Sequence, residues 1–262
     1  MQWTFFNSEF VTDTYLPDMK QSPWAGHRAF AYDLVRYLQP KRFVELGTAQ
    51  GTSFFTMCQA VLDGGFNTEC TAVDTWAGDP QSGYYENDVF ERVQSIRDEY
   101  CPQIATLARS TFDEALLRFE DKSIDLLHID GLHTFEAVTH DYETWIPKLA
   151  ENGVVMFHDI AVTRDDFGVY KLWDRLKRQF PHIEFSHSFG LGVLFPKGHH
   201  ESFTDIINLS GIVSMLYRFH ADSYSKSVDI NYLVGQVTQW KKLAEQSNAL
   251  LNQMVQSQKS AP

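Results

Sequence analysis

The stretch Phe43-Val44-Glu45-Leu46-Gly47-Thr48-Ala49-Gln50-Gly51-Thr52-Ser53 decides how the rest of the chain is read. A short apolar run ends in an acid, a Gly-containing turn follows, and an amphipathic segment begins. That order is a strand, a tight loop and a helix N-terminus. Gly47 and Gly51 can take backbone angles closed to other residues and let a ligand come close to the main chain. The free N–H groups that open the following helix favour an electron-rich ligand. Glu45 stands where a carboxylate can meet a cationic ligand group. The spacing lacks the third glycine of G-x-G-x-x-G, and no Lys-Ser/Thr follows as in a P-loop.

Outward from this stretch, strands and helices alternate. Residues 1 to about 22 read as an irregular aromatic and polar arm. Trp24 to Leu38 has helical apolar spacing, and Pro40 stops it. Strands are expected at Arg42–Gly47, Glu69–Trp76, Ile104–Arg109, Ile124–Asp130 and Val154–Asp159. Helices are expected at Thr52–Leu62, Asn87–Tyr100, Phe112–Phe119, Thr134–Leu149 and Phe167–Phe180. Asn152-Gly153 reads as the turn that enters the fifth strand. His182–His187 and Leu191–Phe195 read as a closing pair of strands. The expected fold is α/β: a Rossmann-like, doubly wound, mainly parallel seven-stranded sheet covered by helices on both faces. The arm takes residues 1–23, the sheet domain 24–198, and a C-terminal helical extension 199–262. In that extension Ile230, Leu233, Val237, Trp240, Ala244, Ser247, Leu251 and Met254 follow a 3-4 spacing, the seam of a coiled coil or helical hairpin. A homo-oligomer through this helix is the corresponding expectation.

Bulk properties exclude several classes. The chain of 262 residues suffices for one large α/β domain with an extension. A net charge of −12 with no basic run argues against a nucleic-acid binder that works by neutralising phosphates. Cys58, Cys70 and Cys101 are odd in number and lack C-x-x-C spacing, so reduced thiols are expected rather than a disulfide framework or a zinc site. No basic n-region, long apolar run or internal repeat is present; a cytoplasmic protein without a membrane span is expected.

Ligands of such sheets sit beyond the carboxyl ends of the strands. The residues ending the five strands are Glu45, Asp74, Ser110, Asp130 and Asp159. Acids at buried strand ends are costly unless paired or liganded. Helix capping accounts for Ser110 or Thr111 and partly for Asp74, but poorly for His158-Asp159. Asp74, some 20–30 residues after the Gly loop, can accept both hydroxyls of a ribose. Trp76 can stack near an adenine or fill the core, and Asp79 can be a plain turn residue. The segment His128-Ile129-Asp130-Gly131-Leu132-His133, together with Phe157-His158-Asp159, carries the most chemistry. With the fourth and fifth strands adjacent, Asp130, His158 and Asp159 converge. Two carboxylates and an imidazole suit an octahedral Mg²⁺ or Mn²⁺, with Fe²⁺ open. His133 can face the same pocket as a general base or serve as a helix-cap residue. His128, inside the apolar strand, reads as a core residue and His140 as a surface one. Arg164, Asp165 and Asp166 fall in a segment, 161–168, expected to lie over the pocket as a lid. His187 and Phe189 are placed to line an acceptor site.

The runs Val44-Glu45-Leu46-Gly47, Val73-Asp74-Thr75-Trp76-Ala77-Gly78-Asp79, Ile129-Asp130-Gly131-Leu132-His133 and Phe157-His158-Asp159 carry a resemblance. From about residue 24 to 197 the chain resembles metal-dependent class I S-adenosylmethionine (SAM) O-methyltransferases. It looks closest to a bacterial group of macrolide sugar O-methyltransferases and methyltransferase domains found with polysaccharide glycosyltransferases. The resemblance implies SAM contacts from Glu45, Gly47, Thr48, Gln50, Gly51, Ser53, Asp74, Trp76, Ser110, Thr111 and Asp130. It implies Asp130, His158 and Asp159 as ligands of a divalent metal, and His133 with Asp130 as the catalytic pair. His158 departs from the acid that relatives often carry there. The implied activity is methyl transfer to a hydroxyl of a sugar or glycan. A glycosyltransferase is implied as partner or fused domain. The rival readings are a non-catalytic scaffold of the same fold beside a glycosyltransferase, and a metal-dependent hydroxylase-like relative.

Overall fold

The computed structural model describes residues 3–15 and 22–259. Seven strands form one sheet: β1 (Arg42–Leu46), β2 (Glu69–Asp74), β3 (Ala105–Arg109), β4 (Ile124–Ile129), β5 (Leu149–His158), β6 (His182–Phe185) and β7 (Leu191–Leu194). Their spatial order is β3-β2-β1-β4-β5-β7-β6. The first five are parallel, and β7 runs antiparallel between β5 and β6. The expected doubly wound, mainly parallel sheet is therefore present.

Both faces are covered, which is why the strands read as nearly continuous apolar runs. Successive residues still point to opposite faces. Phe43, Leu126 and Met156 join one core with α1 (Arg28–Leu38), α2 (Thr52–Gly64) and α3 (Asn87–Tyr100). Val44, Leu127 and Phe157 join the other with α4 (Phe112–Leu116), α5 (Phe135–Trp145) and α6 (Val169–Leu176). Strand order reverses around β1, so the crevice for a ligand opens beyond β1, β2 and β4.

Two boundaries differ from the sequence expectation. The helix expected over Thr134–Leu149 ends at Trp145, and a 3₁₀ turn, Ile146–Lys148, follows. Pro147 cannot continue the helical hydrogen bonding. Its carbonyl and that of Lys148 accept the Lys122 and Ser123 amides, which starts the pairing with β4 early. Asn152-Gly153 is consequently not a turn before the strand but an irregularity inside it. Asn152 takes a left-handed φ of 60°, a conformation Asn tolerates. At the N-terminal side, Trp24 lies in a 3₁₀ turn, Pro23–His27, which Ser22 caps.

After the sheet come α7 (Thr204–Asn208) and α8 (Ser210–Lys259). The compact α/β unit runs to Ala221, and residues from Asp222 form a second unit. That second unit is a single helical segment, so a hairpin does not form in its described part. Its Ile230, Leu233, Val237 and Trp240 are exposed. The side chains at 244, 247, 251 and 254 of the expected seam lie outside the described residues. No helix among the described residues is long and apolar enough to cross a membrane.

One buried polar contact ties the arm, α1 and the start of α8 together. The Tyr217 hydroxyl donates to Asp33 Oδ2 at 2.5 Å, the Phe6 amide donates to Oδ1 at 3.1 Å, and the Trp3 indole donates to Tyr217. Burial lifts the Asp33 carboxyl to about 7, against the Tyr217 and Phe6 donors that favour its charge. The folded chain thus holds a proton that the unfolded chain releases near pH 4. This contribution to stability is complete below pH 4 and is lost as pH rises toward 7. In chemical denaturation at pH 5 and pH 7.5, Asp33→Asn should therefore flatten the loss of stability between the two, by on the order of 2 kcal/mol relative to the unsubstituted chain. An equal loss in both proteins would remove Asp33 as the cause.

Candidate active site

A cavity of about 840 Å³ opens at the carboxyl ends of β1, β2, β4 and β5. A smaller one of about 350 Å³ adjoins it along the start of α2, with Trp24, Thr48, Ala49 and Asp130 on both linings.

At one end Asp74 braces the loop after β1. Its Oδ2 accepts the Thr48 and Ala49 amides at 2.8 and 2.9 Å, and its Oδ1 accepts the Trp76 amide at 2.7 Å. The carboxylate still faces the main cavity. Gly47 has φ 84°, and a Cβ there would stand 2.0 Å from the Asp130 carbonyl oxygen. The glycine is required by the close approach of two main chains.

The expected cofactor residues divide into three groups. Gly47, Thr48, Asp74, Thr111 and Asp130 line the main cavity. Gln50, Gly51 and Ser53 line the smaller one, together with Thr48 and Asp130. Glu45, Trp76 and Ser110 line neither. Glu45 is fully buried, its Oε2 lies 2.8 Å from the Nδ1 of the core residue His128, and its Oε1 is buried without a hydrogen-bond partner. Burial raises its pKa while His128 opposes the rise. Trp76 is buried against Phe90, and its indole N–H donates to the Ala49 carbonyl at 2.9 Å. It supports the loop and fills the core, the second of the two roles open to it from the sequence. Ser110 donates its amide to the Asp74 carbonyl. Thr111 caps α4 in a reciprocal box with Glu114.

The other end of the cavity holds the chemistry. His133 Nε2 lies 2.8 Å from Asp159 Oδ2 and 3.4 Å from Asp130 Oδ1. His158 Nδ1 lies 3.4 Å from each of the same two oxygens. The Nε2 of His158 is 3.1 Å from the Ser188 carbonyl, which can only accept, so Nε2 carries a hydrogen in either charge state and Nδ1 is aimed at the acids. Burial disfavours charge on both imidazoles. The two aspartates outweigh it and hold His133 up at about 9 and His158 at about 10. The same pairing holds Asp130 and Asp159 below the usual carboxylate range against their own burial. Asp159 itself has a left-handed φ of 60°, and its Oδ1 is buried without a hydrogen-bond partner. Asp130, His133 and Asp159 each offer a ligand atom within 4.8 Å of the others. Two carboxylates and an imidazole in reach of one point, with an unsatisfied carboxylate oxygen, suit a hard divalent cation.

Around this cluster the sequence reading missed Gln81. Its Oε1 accepts the His133 amide at 2.9 Å and faces His133 Nδ1 at 3.0 Å. No local pattern marks it; it stands in a turn whose amides Asp79 accepts. Phe167 stacks on the His133 ring, centroids 4.8 Å apart and planes within 8°. Arg164 and Phe189 line the cavity mouth, and the Arg164 guanidinium lies 5.7 Å over Phe189. His187 does not line it: its Nε2 faces the Gly26 carbonyl at 3.2 Å.

Residues 44–160 match a family model described as a methyltransferase domain. This part of the chain is thus similar to that family, in line with the enzyme class expected from the sequence. A curated relative, the uncharacterized protein y4gI of Sinorhizobium fredii, is 46% identical over 174 residues, 66% of this chain and 19% of that protein. The chain thus spans about one fifth of the length of that relative. Among solved structures, a Corynebacterium glutamicum protein superposes with a TM-score of 0.56 at 14% identity, covering 75% of this chain and 94% of the other. A methyltransferase from Geobacter sulfurreducens gives 0.53 at 16% identity, covering 74% and 92%. These two likenesses support the fold.

If Glu45 serves the core, removing its acceptor costs stability. Glu45→Ala leaves the buried His128 Nδ1 without its hydrogen-bond partner, and thermal denaturation should show a loss of roughly 2 kcal/mol. An unchanged melting temperature would return Glu45 to the ligand-facing role.

Proposed function

We propose that this domain transfers the methyl group of SAM to a hydroxyl of a sugar or glycan, with His133 as general base. One observation carries the reading. A single cavity holds, at one end, the Asp74-braced glycine loop and, at the other, an imidazole–carboxylate cluster. The first suits a nucleoside with a charged tail; the second suits removal of a proton from an attacking hydroxyl.

SAM, when bound, supplies an electrophilic methyl on a sulfonium. Asp74 would accept from the ribose hydroxyls with the lone pairs its amide donors leave free. Thr48, Gln50, Gly51 and Ser53 would hold the methionine end, and Thr111 the nucleoside side. With His133 kept as the base, Asp130 and Asp159 would hold Mg²⁺ or Mn²⁺ with His158 instead, whose Nδ1 stands 3.4 Å from each acid, and the ion would supply positive charge that lowers the pKa of a nearby hydroxyl. His133 receives the hydroxyl proton at Nε2. Because the paired acids keep His133 protonated at neutral pH, the base form requires that its proton leave as the site fills. Phe189 and Arg164 at the mouth provide an aromatic face and a cation for the acceptor. The exposed 3-4 stripe beyond Asp222 is read as the contact through which copies of the chain, or an associated glycosyltransferase, assemble.

His133 and His158 flanking two acids also offer the two-imidazole, one-carboxylate set of a non-haem iron site. This favours the hydroxylase-like alternative as the second reading. Metal analysis of the purified chain separates the two: iron with no SAM affinity would select it.

Calorimetric titration of SAM and S-adenosylhomocysteine into chelator-treated protein, with and without Mg²⁺ or Mn²⁺, is the test. Binding in the micromolar range, lost in Asp74→Ala, supports the cofactor assignment; no binding under any condition sinks it. The cluster adds a pH dependence with a defined sign. Mn²⁺ must displace the proton that His158 holds until about pH 10. Mn²⁺ affinity should therefore rise about tenfold per pH unit between pH 6.5 and 8.5 for each proton released. It should be lost in Asp159→Ala. A pH-independent affinity would place the ion elsewhere.

A further inference from the structure

Gln81 has a side chain with two unlike ends, and both are engaged. Its Oε1 takes the His133 amide and faces Nδ1 of the same residue, at 2.9 and 3.0 Å. Its Nε2 donates to Asp166 Oδ1 at 2.5 Å. One primary amide therefore joins three segments. These are the tip between the paired residues Gly78–Asp79 and Gly83–Tyr84, the loop after β4, and the 161–168 loop after β5. Among the hydrogen bonds described, Gln81–Asp166 is the side-chain contact that ties the tip to the 161–168 loop.

Amide chemistry allows only one arrangement. The oxygen accepts and the nitrogen donates. The His133 backbone group is a donor, and the Asp166 carboxylate is an acceptor. Flipping the Gln81 amide would set N–H against N–H at His133 and oxygen against oxygen at Asp166. With Oε1 fixed toward His133, Nδ1 is the nitrogen that carries a hydrogen toward Gln81, and Nε2 is turned to Asp159. The tip cannot easily retreat, because Asp79 accepts the Gln81 and Ser82 amides at 2.6 and 2.9 Å. The 161–168 loop meets His133 a second way, through Phe167 on its ring and the Gly168 amide on its carbonyl at 2.7 Å. A Cβ at Gly168 would stand 2.3 Å from the Phe135 amide nitrogen, so the loop end lies tight against the start of α5.

We infer that Gln81 is a positioning residue that latches the 161–168 loop over the cavity and, with the same amide, aims His133 Nε2 at the carboxylate cluster. The inference rests on the reading of His133 as the base. Entry of an acceptor between tip and loop breaks the Gln81–Asp166 bond. Its re-formation returns the loop over an imidazole that the Gln81 oxygen has kept in register throughout.

The test uses the 262-residue chain in two measurements that need no acceptor. Histidine-selective ¹⁵N NMR reads the Nδ1–H signal of His133, assigned by its absence in His133→Asn. Hydrogen exchange with mass spectrometry reads residues 161–168. Gln81→Met should lose the slowly exchanging Nδ1–H signal and speed loop exchange at least tenfold. Asp166→Ala, a change at an exposed position, should speed loop exchange alike and keep the Nδ1–H signal. The double change Gln81→Glu with Asp166→Asn reverses donor and acceptor, and should restore both readouts to within threefold. The inference is overturned if Gln81→Met leaves the signal in place and loop exchange within twofold, or if Asp166→Ala abolishes the signal as fully as Gln81→Met does. SAM calorimetry on the unsubstituted chain is run beside these. Absence of SAM binding there defeats the methyltransferase reading by itself, while NMR and exchange still decide the latch.

Discussion

Asp130 and Asp159 cannot lie side by side, largely out of water, without compensating charge. His133 and His158 supply it through four contacts of 2.8 to 3.4 Å. Removing either imidazole would leave a carboxylate facing its neighbour with too little opposite charge, a costly state at low dielectric. The four groups are therefore one unit. The left-handed backbone of Asp159 fits this view. A non-glycine residue persists there when its surroundings over-determine it, and here the side chain must reach both imidazoles.

The scaffold around the unit consists largely of histidines bonded to carbonyls. His27 and His158 both face the Ser188 carbonyl at 3.1 Å, and His187 faces that of Gly26 at 3.2 Å. Segment 22–28 is thereby bound to segment 186–190. A Cβ on Gly26 would stand 2.0 Å from Ser188 Oγ, so no larger residue fits without parting the two. The arrangement also decides where charge resides. His27 and His187 have ring centroids 4.7 Å apart, and His27 and His158 5.6 Å. Burial, then the His158 charge, pushes His27 far below its usual range. His27 stays neutral so that the cation can sit on His158, beside the acids.

Alternation of apolar runs with amphipathic stretches made the fold readable from the sequence, because a doubly covered parallel sheet leaves that pattern in every strand. The candidate site was readable only as a set of strand-end residues. The sequence separates Asp74 from Asp130 and Asp159, and the structure separates Glu45 as well. Glu45 pairs with a core histidine, Asp74 braces a loop, and Asp130 with Asp159 joins two imidazoles. What separates them is the identity of spatial partners: His128 for Glu45, the Thr48 and Ala49 amides for Asp74, two imidazoles for the rest. None of these partners is fixed by spacing along the chain. Gln81 was invisible for the same reason, since a glutamine in a turn has no local signature. Trp76 could stack or fill the core by position alone, and its burial with an indole N–H on the Ala49 carbonyl selects the core. Pro147 was the one local signal under-read, and it moved the start of β5 by five residues, from Val154 to Leu149.

The separation between the two ends of the cavity is itself set by the main chain. The Asp130 amide donates to the Leu46 carbonyl at 2.8 Å, and the Gly47 amide donates to that of Val73 at 3.0 Å. These bonds fasten the ends of β2, β1 and β4 in a row. Gly47 lets the row close, since any side chain would strike the Asp130 carbonyl. Asp74 then pins the loop above, and Asp130 begins the cluster below. A ligand spanning from the loop to His133 is measured against this fixed row, whereas its far side is bounded by the tip at Gln81 and the 161–168 loop. The near wall is built from strand ends and the far wall from loops. On the proposed function, discrimination among acceptors would accordingly belong to the far wall, where Arg164 and Phe189 stand, and the geometry of transfer to the near one.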